Sequence, residues 1–378
     1  MNPESSSYVR VETLPALHGL IPHLEQSSII GVDLEADSLF HYFEKVCLIQ
    51  IATPQASYIL DPLSLKDLSP LRPIFFNSNI CKIFHGADYD IRLLNRDFGL
   101  EVRNLFDTQL ACRFLGLSET GLEAVLRERF QVALNKKFQR ADWSQRPLPQ
   151  NMLEYAALDG RYLIPLAHIL KQELEGKNRL NWVEEECRLL SQVRFSPPHQ
   201  GLFFIKVKGA SHLNPRSLTV LEALLSFRER EAQESDRPPF KIIGNEALLE
   251  LARSTPLTPE ELAGLKTLSP KQTHRFGQAV LSVIQKTLQV PQEKFLTYPR
   301  KERNPVGLRE GRKIKALKEW REKQAKALGL EPGIVISTLL LTVLALKNPQ
   351  TLEEMAGIPG MKRWQWETFG VELLETLR

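Results

Sequence analysis

The sequence predicts an α/β domain with a mixed β-sheet, followed by two small all-helical domains. In the first 200 residues, short apolar runs typical of buried strands alternate with stretches of helical spacing. In the second half, residue n matches residue n+93 without a gap over about 60 positions. A chain of 378 residues with 43% apolar content can bury several cores, so two or three domains are expected.

The α/β part is predicted to contain five short strands and four helices. The strands are expected at 29–33, 46–52, 57–60, 81–84 and near 105–107, and the helices after 86, 109, 121 and 150. The early strands lie close enough in sequence to form hairpins, whereas the later strands alternate with helices. This combination favours a mixed sheet.

The repeat in the second half indicates a duplicated helical domain. Unrelated helices would not keep prolines and glycines in register. The matched pairs include Phe227 with Trp320, Pro239 with Pro332, Gly264 with Gly357 and Gly277 with Gly370. Proline-containing linkers lie at 196–215 and 291–311, so we predict domains at 1–200, 213–291 and 305–378.

Four separated acids and one tyrosine are the candidate site. Asp33 and Glu35, at i and i+2, would share one face of a strand. Asp90 follows a strand and a glycine turn, and Asp159 comes one helical turn after Tyr155, so that the phenol and the carboxylate share a helical face. Carboxylates that converge without basic partners repel one another unless cations lie between them. The set therefore predicts a divalent-metal site.

Each part of this set has an ordinary alternative when it is taken alone. A strand that leaves the core often ends in solvated acids. Asp88 and Asp90 could be first-turn acids favoured by the helix dipole. Asp37 and Asp88 lie beside the set and could support it without being ligands.

The order and surroundings of these residues resemble the ribonuclease D family, in the tyrosine-bearing branch of the DEDD superfamily. The resemblance covers about residues 8–200. It rests on blocks at 31–38 (GVDLEADS), 46–51 (VCLIQI), 85–90 (HGADYD), 106–111 (FDTQLA) and 141–148 (ADWSQRPL), the last leading into 155–159 (YAALD). Both helical repeats resemble the HRDC domain, an accessory nucleic-acid-binding module of that family.

This resemblance implies a ribonuclease-H-like exonuclease fold and a two-metal 3′→5′ exoribonuclease that releases 5′-mononucleotides. Asp33, Glu35, Asp90 and Asp159 match the family's metal-binding acids, and Tyr155 matches the tyrosine that positions the attacking water. The implied cofactors are two divalent ions, Mg²⁺ or Mn²⁺. The implied partner is RNA with a free 3′ end, with precursors of tRNA and other small structured RNAs as the usual substrates.

Two residues are candidate substrate contacts, each with a structural alternative. His85 closes a predicted strand, where a structural hydrogen bond would explain it equally. Arg146 either holds the loop before the last helix of the α/β domain or meets a phosphate. Asp107, with Thr108, is interpreted as structural hydrogen bonding near the site.

The net charge of +4 is too small to indicate nucleic-acid binding by itself. Its distribution is uneven, because residues 300–326 carry eleven Lys and Arg against four Glu, a local charge of +7. Such a segment can meet a phosphate backbone, or it can form a solvated helix face of mixed charge.

Other sequence features indicate the cellular compartment of the protein and the redox state of its cysteines. The four cysteines lack metal-type spacing, which favours free thiols in a reducing compartment. The N-terminus does not resemble a signal peptide, and the longest apolar run, 334–346, is interrupted and too short to span a bilayer. We expect a soluble cytoplasmic protein without membrane contact. The oligomeric state is not determined by the sequence, and a monomer is favoured.

Two other functions stay open at the level of sequence. One is an exodeoxyribonuclease of the same superfamily, because no residue visibly reads a 2′-hydroxyl. The other is an inactive RNA-binding scaffold built on the HRDC pair. The complete set of four acids and a tyrosine argues against the scaffold, which would have no need to keep all five.

Overall fold

The computed structural model describes residues 8–133, 136–197, 201–299 and 307–378, without the side chains of Lys136 and Asp159. These residues form two compact units. The first unit contains one β-sheet, the helices that follow it up to residue 190, and the helices after residue 307. The second unit contains the helices between them together with the segment Asp37–Lys45.

The first unit is built on a mixed six-stranded sheet. Its strands are β1 (Tyr8–Val11), β2 (Ile29–Ala36), β3 (Val46–Ala52), β4 (Ser57–Leu60), β5 (Cys81–Phe84) and β6 (Leu105–Asp107). They lie in the order β1-β4-β3-β2-β5-β6. Strand β3 runs antiparallel to β2 and β4, whereas the β1–β4, β2–β5 and β5–β6 pairs are parallel. The mixed sheet predicted from the sequence is confirmed.

Nine helices follow or separate these strands in the described part of the first unit up to residue 190. They are α1 (Leu14–Glu25), α2 (Pro62–Leu65), α3 (Arg72–Phe76), α4 (Asp88–Phe98), α5 (Thr108–Leu115), α6 (Leu122–Phe130), α7 (Gln150–Arg161), α8 (Leu163–Gly176) and α9 (Leu180–Leu190). Helices α4 to α7 begin within two residues of the positions that the sequence predicted.

The sequence prediction shortened β2 and missed six of the strands and α-helices of the described first unit before residue 191: strand β1 and the helices α1, α2, α3, α8 and α9. Strand β1 has only four residues and exposes Val9, so it lacks the apolar pattern of a buried strand. Helix α1 contains Pro22, which disfavours a helix on propensity alone. Strand β2 was predicted to end at Asp33 but continues to Ala36, because β3 supplies a pairing partner as far as that residue.

The two faces of β2 have different neighbours. Ile30 and Val32 are fully buried in a core cluster with Leu17 and Leu24 of α1. Since side chains alternate along a strand, Gly31, Asp33 and Glu35 lie on the opposite face. That opposite face is the one that carries the candidate site.

The two helical repeats have the same sequence of helices. The first consists of α10 (Pro215–Glu234), α11 (Pro239–Ile242), α12 (Asn245–Ser254), α13 (Pro259–Leu265) and α14 (Pro270–Leu288). The second consists of α15 (Leu308–Leu328), α16 (Pro332–Val335), α17 (Thr338–Lys347), α18 (Leu352–Ala356) and α19 (Arg363–Leu377). The duplication predicted from the 93-residue register is confirmed, while the exact domain boundaries stay a prediction.

The hydrogen bonds of the repeats obey the same register. Gln272 donates from Nε2 to the Ile242 carbonyl at 2.8 Å, and Gln365 donates to the Val335 carbonyl at 2.9 Å. Arg228 and Arg321, also 93 residues apart, each donate to the carbonyl that follows the short second helix of their repeat. Duplicated side chains therefore make duplicated contacts.

The basic segment predicted at 300–326 lies partly outside the described residues, which resume at 307. From there it forms most of α15. Its exposed cations include Arg312, Lys315 and Lys318, whereas Arg321 is used internally. No helix in the described residues is both long enough and apolar enough to cross a membrane.

Candidate active site

Strand β2 places two of the predicted acids on one face of the sheet. Asp33 lies opposite Gln50 of β3, and Glu35 lies opposite Leu48. Residues opposite each other in an antiparallel pair project to the same side, so these four side chains share a surface. Both acids are half-buried.

Helix α7 covers this surface and carries the predicted tyrosine. It packs on β2, β3 and β4. A Cβ atom added at Gly31 would lie 3.0 Å from the carbonyl oxygen of Gly160, and one added at Gly160 would lie 3.6 Å from Cβ of Gln50. The two glycines therefore let the helix approach the strands closely, beside Asp33.

Tyr155 is buried on α7, with 8% of its surface exposed. Its ring contacts Phe138 and Trp143, at centroid distances of 5.7 and 6.1 Å. These rings fix the phenol at the side of the helix that faces the sheet. Asp159 follows one turn later in the same helix, but its side chain lies outside the described residues.

The third acid comes from the first turn of α4. Asp90 is half-buried, while Asp88, two residues earlier, is exposed and accepts two hydrogen bonds from Arg92 at 2.9 and 3.0 Å. Asp107 fixes the start of this helix, because its carboxylate accepts from the backbone N–H groups of Gly86 at 2.9 Å and Ala87 at 2.8 Å.

Asp107 also caps α5. The same carboxylate accepts from the N–H groups of Gln109 at 2.8 Å and Leu110 at 3.2 Å. One buried acid therefore ties the N-termini of two helices together. The interpretation of Asp107 as a structural hydrogen-bonding residue near the site is confirmed.

Two acids of the site have raised pKa values. Burial raises the pKa of Asp33 to about 6, against a hydrogen bond from the Leu34 backbone. The pKa of Asp90 is raised well above its ordinary value, first by burial and then by the negative charges of Asp33 and Asp107. Strand β2 and helix α4 thus bring two carboxyl groups close enough to repel each other.

Such a carboxylate set fits hard divalent cations. Mg²⁺ and Mn²⁺ prefer oxygen ligands, and a cation between the acids would offset their repulsion. The described side chains contain no ready-made group of three or more His, Cys, Asp or Glu around a metal position. Asp33, Glu35 and Asp90 are the described members of the predicted quartet, and the side chain of Asp159 is the undescribed one.

The family is decided by comparison with known proteins. A family model described as 3′-5′ exonuclease matches residues 8–175, and the HRDC domain model matches 217–284 and 311–377. Ribonuclease D of Desulfotalea psychrophila is 31% identical over 86% of this chain and 87% of its own length. The chain belongs to the ribonuclease D family.

Solved structures agree with this assignment. The crystal structure of Escherichia coli RNase D matches with a TM-score of 0.71 and 26% identity, over 98% of each chain. The catalytic core of RRP6 from Trypanosoma brucei matches with a TM-score of 0.66 and 32% identity, over 76% of this chain and 81% of that one. The predicted exonuclease fold with HRDC domains is confirmed.

Membership of the ribonuclease D family makes the chain a 3′→5′ exoribonuclease. The predicted enzyme class is thereby confirmed. The alternatives, an exodeoxyribonuclease and an inactive scaffold, find no support among these relatives. DEDD-type exonucleases generally depend on divalent metals, in keeping with the acids on β2 and α4.

In this ribonuclease D-family chain, the geometry of His85 favours the structural alternative. Thr108 donates its hydroxyl proton to the Phe84 carbonyl at 2.9 Å, so Nδ1–H of His85 donates to Thr108 Oγ1, also at 2.9 Å. Burial lowers the pKa of His85, which keeps the ring neutral. The residue joins the end of β5 to the start of α5.

Arg146 is likewise held inside the fold. Its guanidinium donates two hydrogen bonds to Asp61, both at 2.7 Å, and three more to the carbonyls of Trp143, Gln145 and Cys47 at 2.7 to 2.9 Å. An arginine has five N–H donors, and all five are used. The arrangement favours loop-holding over phosphate binding.

Asp37 is hydrogen-bonded within the fold, whereas Gln50 is a residue of the site that the sequence analysis did not identify. Asp37 is fully buried and accepts hydrogen bonds from Lys45, at 2.8 Å from the backbone N–H and 2.6 Å from Nζ. Gln50 lies in the floor of the site and is 2% exposed. Its sequence signal was a single polar residue inside the apolar strand 46–52.

Proposed function

We propose that this exoribonuclease uses two divalent cations, held by Asp33, Glu35, Asp90 and Asp159, to release 5′-mononucleotides from the 3′ end of RNA. When bound, such cations supply Lewis-acid stabilisation for the attacking water and the departing 3′-oxygen. The observation that carries the proposal is the placement of Asp33 and Glu35 on the face of β2 that is covered by α7, the helix that bears Tyr155. The charge of Asp33 also contributes to the raised pKa of Asp90 on α4.

The protein contributes ligand placement and orientation. Asp33 and Glu35 are presented by a paired strand and Asp90 by a helix start clamped through Asp107, so the carboxylates are held by rigid elements. Tyr155 is positioned to orient the attacking water with its hydroxyl. The role proposed for this hydroxyl is positioning rather than strong base catalysis.

The site assignment is tested by a matched pair of acids in one helical turn. We expect Asp90→Asn to abolish the shortening of a 5′-labelled single-stranded RNA from its 3′ end, together with Asp33→Asn. Asp88→Asn, two residues away and paired with Arg92, should retain nearly full turnover. The reactions are run with Mg²⁺, with Mn²⁺ and with EDTA, and products are resolved at single-nucleotide length.

Substitution of Asp90 is expected to abolish activity and substitution of Asp88 to preserve it, so the comparison can contradict the proposal. Activity that survives Asp90→Asn, or that persists unchanged in EDTA, would contradict the proposed metal site. Equal losses for Asp88→Asn and Asp90→Asn would mean that the helix start, and not the ligand, is what was damaged.

Tyr155→Phe tests the positioning role. The ring keeps its contacts with Phe138 and Trp143, so Tm should change little. We expect turnover to fall by about 10- to 100-fold, because the water loses its oriented partner. Single-turnover rates on RNA measure the effect, and near-full turnover in the variant would show that the hydroxyl has no such role.

We further propose that the substrates are 3′ ends of tRNA precursors and other small structured RNAs. Support comes from Escherichia coli RNase D, which is described as an exoribonuclease involved in structured RNA processing. The exposed cations of α15 are suited to a phosphate backbone. Matched RNA and DNA oligonucleotides, with and without a base-paired stem before the 3′ tail, test the preference.

Cytoplasmic location also stays a prediction. All four cysteines are free thiols, and three of them are buried. That state is the one expected in a reducing compartment.

A further inference from the structure

Gln50 is a buried polar residue whose side chain has no hydrogen-bond partner among the described residues. It is 2% exposed, and both its amide oxygen and its amide nitrogen are unsatisfied. Buried amides in folded proteins are nearly always paired, because an unpaired one costs free energy. An exception therefore needs an explanation, and one such explanation is a partner that binds in another state of the protein.

The neighbours of Gln50 show where such a partner can be. On one side it lies opposite Ile59 of β4, and along its own strand face it is flanked by Leu48 and Ala52, all apolar. On the other side it lies opposite Asp33. The polar neighbour in the sheet is therefore the proposed metal ligand.

Helix α7 covers Gln50 on the side that faces away from the sheet. Cβ of Gln50 lies 3.6 Å from the position that a Cβ would take at Gly160, the residue after Asp159. Gln50 thus lies on the floor of the site, opposite Asp33 of strand β2 and under the helix turn that bears the fourth acid. Opposite residues of an antiparallel pair have Cβ atoms about 4.5–5.5 Å apart, a distance that a glutamine amide spans.

We propose that Gln50 is a positioning residue of the metal site, whose amide N–H₂ donates a hydrogen bond to the outer oxygen of the Asp33 carboxylate when a cation is bound. Hydrogen bonds to the outer oxygens of ligating carboxylates fix their orientation and raise metal affinity. The inference rests on the proposed metal site. It adds a residue to that site that touches neither RNA nor the reacting atoms.

The test measures metal binding without RNA. Gln50→Met keeps the size of the side chain and removes the amide. We expect the Kd for Mn²⁺, measured by calorimetry on the full chain, to rise about 10- to 100-fold. We expect Tm without metal to stay equal or to increase, because an unpaired buried amide has been removed.

Gln365 provides a matched control. It is also 2% exposed, but its amide is satisfied: Nε2 donates to the Val335 carbonyl at 2.9 Å, and Oε1 accepts from the Lys362 N–H at 3.2 Å. Gln365→Met should lower Tm and leave the Kd for Mn²⁺ unchanged. The two glutamines therefore separate a metal-positioning role from a purely structural one.

Gln50→Asn is the second variant, for the case that Gln50→Met does not fold. It keeps a polar amide but draws it back by one methylene, so Mn²⁺ binding should weaken here too. Mn²⁺ binding within twofold of wild type in a folded Gln50 variant would overturn the inference. Asp33→Asn is measured in parallel: if it weakens Mn²⁺ binding while the Gln50 variants do not, the metal site stands and only the role of Gln50 fails. If neither Asp33→Asn nor the Gln50 variants weaken Mn²⁺ binding, the proposed metal site is wrong as well.

Discussion

At the scale of single residues, the acids of the site oppose the stability of the metal-free fold. Asp33 and Asp90 both have raised pKa values, so each holds its proton in the native state at pH values where the unfolded chain has lost it. The contribution of Asp33 to the free energy of unfolding therefore falls as pH rises from about 4 through about 6, and the contribution of Asp90 also falls as pH rises above about 4. If the proposed cations bind between these acids, their binding offsets this cost.

Asp33→Asn should therefore be more stable than wild type without metal above about pH 6, by about 1–2 kcal/mol. The difference should shrink as pH falls and vanish below about pH 3, where the wild-type acid is protonated in both states. Unfolding in urea with EDTA across this pH range measures it. Asp88→Asn is the control, since Arg92 lowers the pKa of Asp88 and no gain is expected. An Asp33→Asn variant that is less stable than wild type at high pH would contradict the raised pKa of Asp33.

At the scale of elements, the segment that precedes α7 is held by a buried ion pair. Arg146 joins Asp61, which is 85 residues away in sequence and has only 6% of its side chain exposed. The hydrogen bonds of Arg146 and Ser64 lower the pKa of Asp61, although burial acts against them. The segment thereby places Trp143 against Tyr155.

Arg146→Met and Asp61→Asn should each lower the free energy of unfolding, by about 2–4 kcal/mol, because each leaves buried partners unpaired. If Arg146 only holds the segment, the salt dependence of RNA binding should not change in either variant. Urea unfolding and RNA binding at several salt concentrations measure both. A shallower salt dependence in Arg146→Met alone would indicate a lost phosphate contact instead.

At the scale of the whole molecule, the second helical repeat packs on the exonuclease helices within the first unit. Trp182 of α9 stacks on Trp364 of α19 with ring centroids 4.7 Å apart. Arg179 is 6% exposed and donates to the Phe114 carbonyl at 2.8 Å and to the Leu328 carbonyl at 2.7 Å. One cation therefore satisfies the C-terminal ends of two helices, α5 and α15.

Arg179→Met should lower the free energy of unfolding by about 2–4 kcal/mol, because two carbonyls at helix ends lose a buried charged donor. Arg253→Met is the control, since Arg253 makes only an exposed pair with Glu250 at 3.8 Å, and its effect should stay within about 0.5 kcal/mol. Calorimetry of the full chain measures both. Equal Tm values for the two variants would show that the Arg179 bridge does not stabilise the contact.

The local part of this architecture followed from the amino-acid pattern. Apolar runs located β2 to β6, a 93-residue register located the helical duplication, and the periods of strand and helix placed Asp33 with Glu35 and Tyr155 with Asp159. These properties depend on residues close in sequence, and side-chain periodicity expresses them directly. The sequence pattern did not predict strand β1 and helix α1, because short or proline-containing elements are stabilised mainly by contacts with their tertiary partners.

Only the tertiary structure determined how the strand face with Asp33 and Glu35 packs against the helix face with Tyr155. Gly31 and Gly160, whose missing side chains bring α7 onto β2, carry no periodic signal. The partners of Arg146 and Arg179 lie far away in sequence, and the unsatisfied amide of Gln50 is defined only by what surrounds it. Contacts between distant segments depend on packing in three dimensions, which local hydrophobic patterns constrain but do not specify.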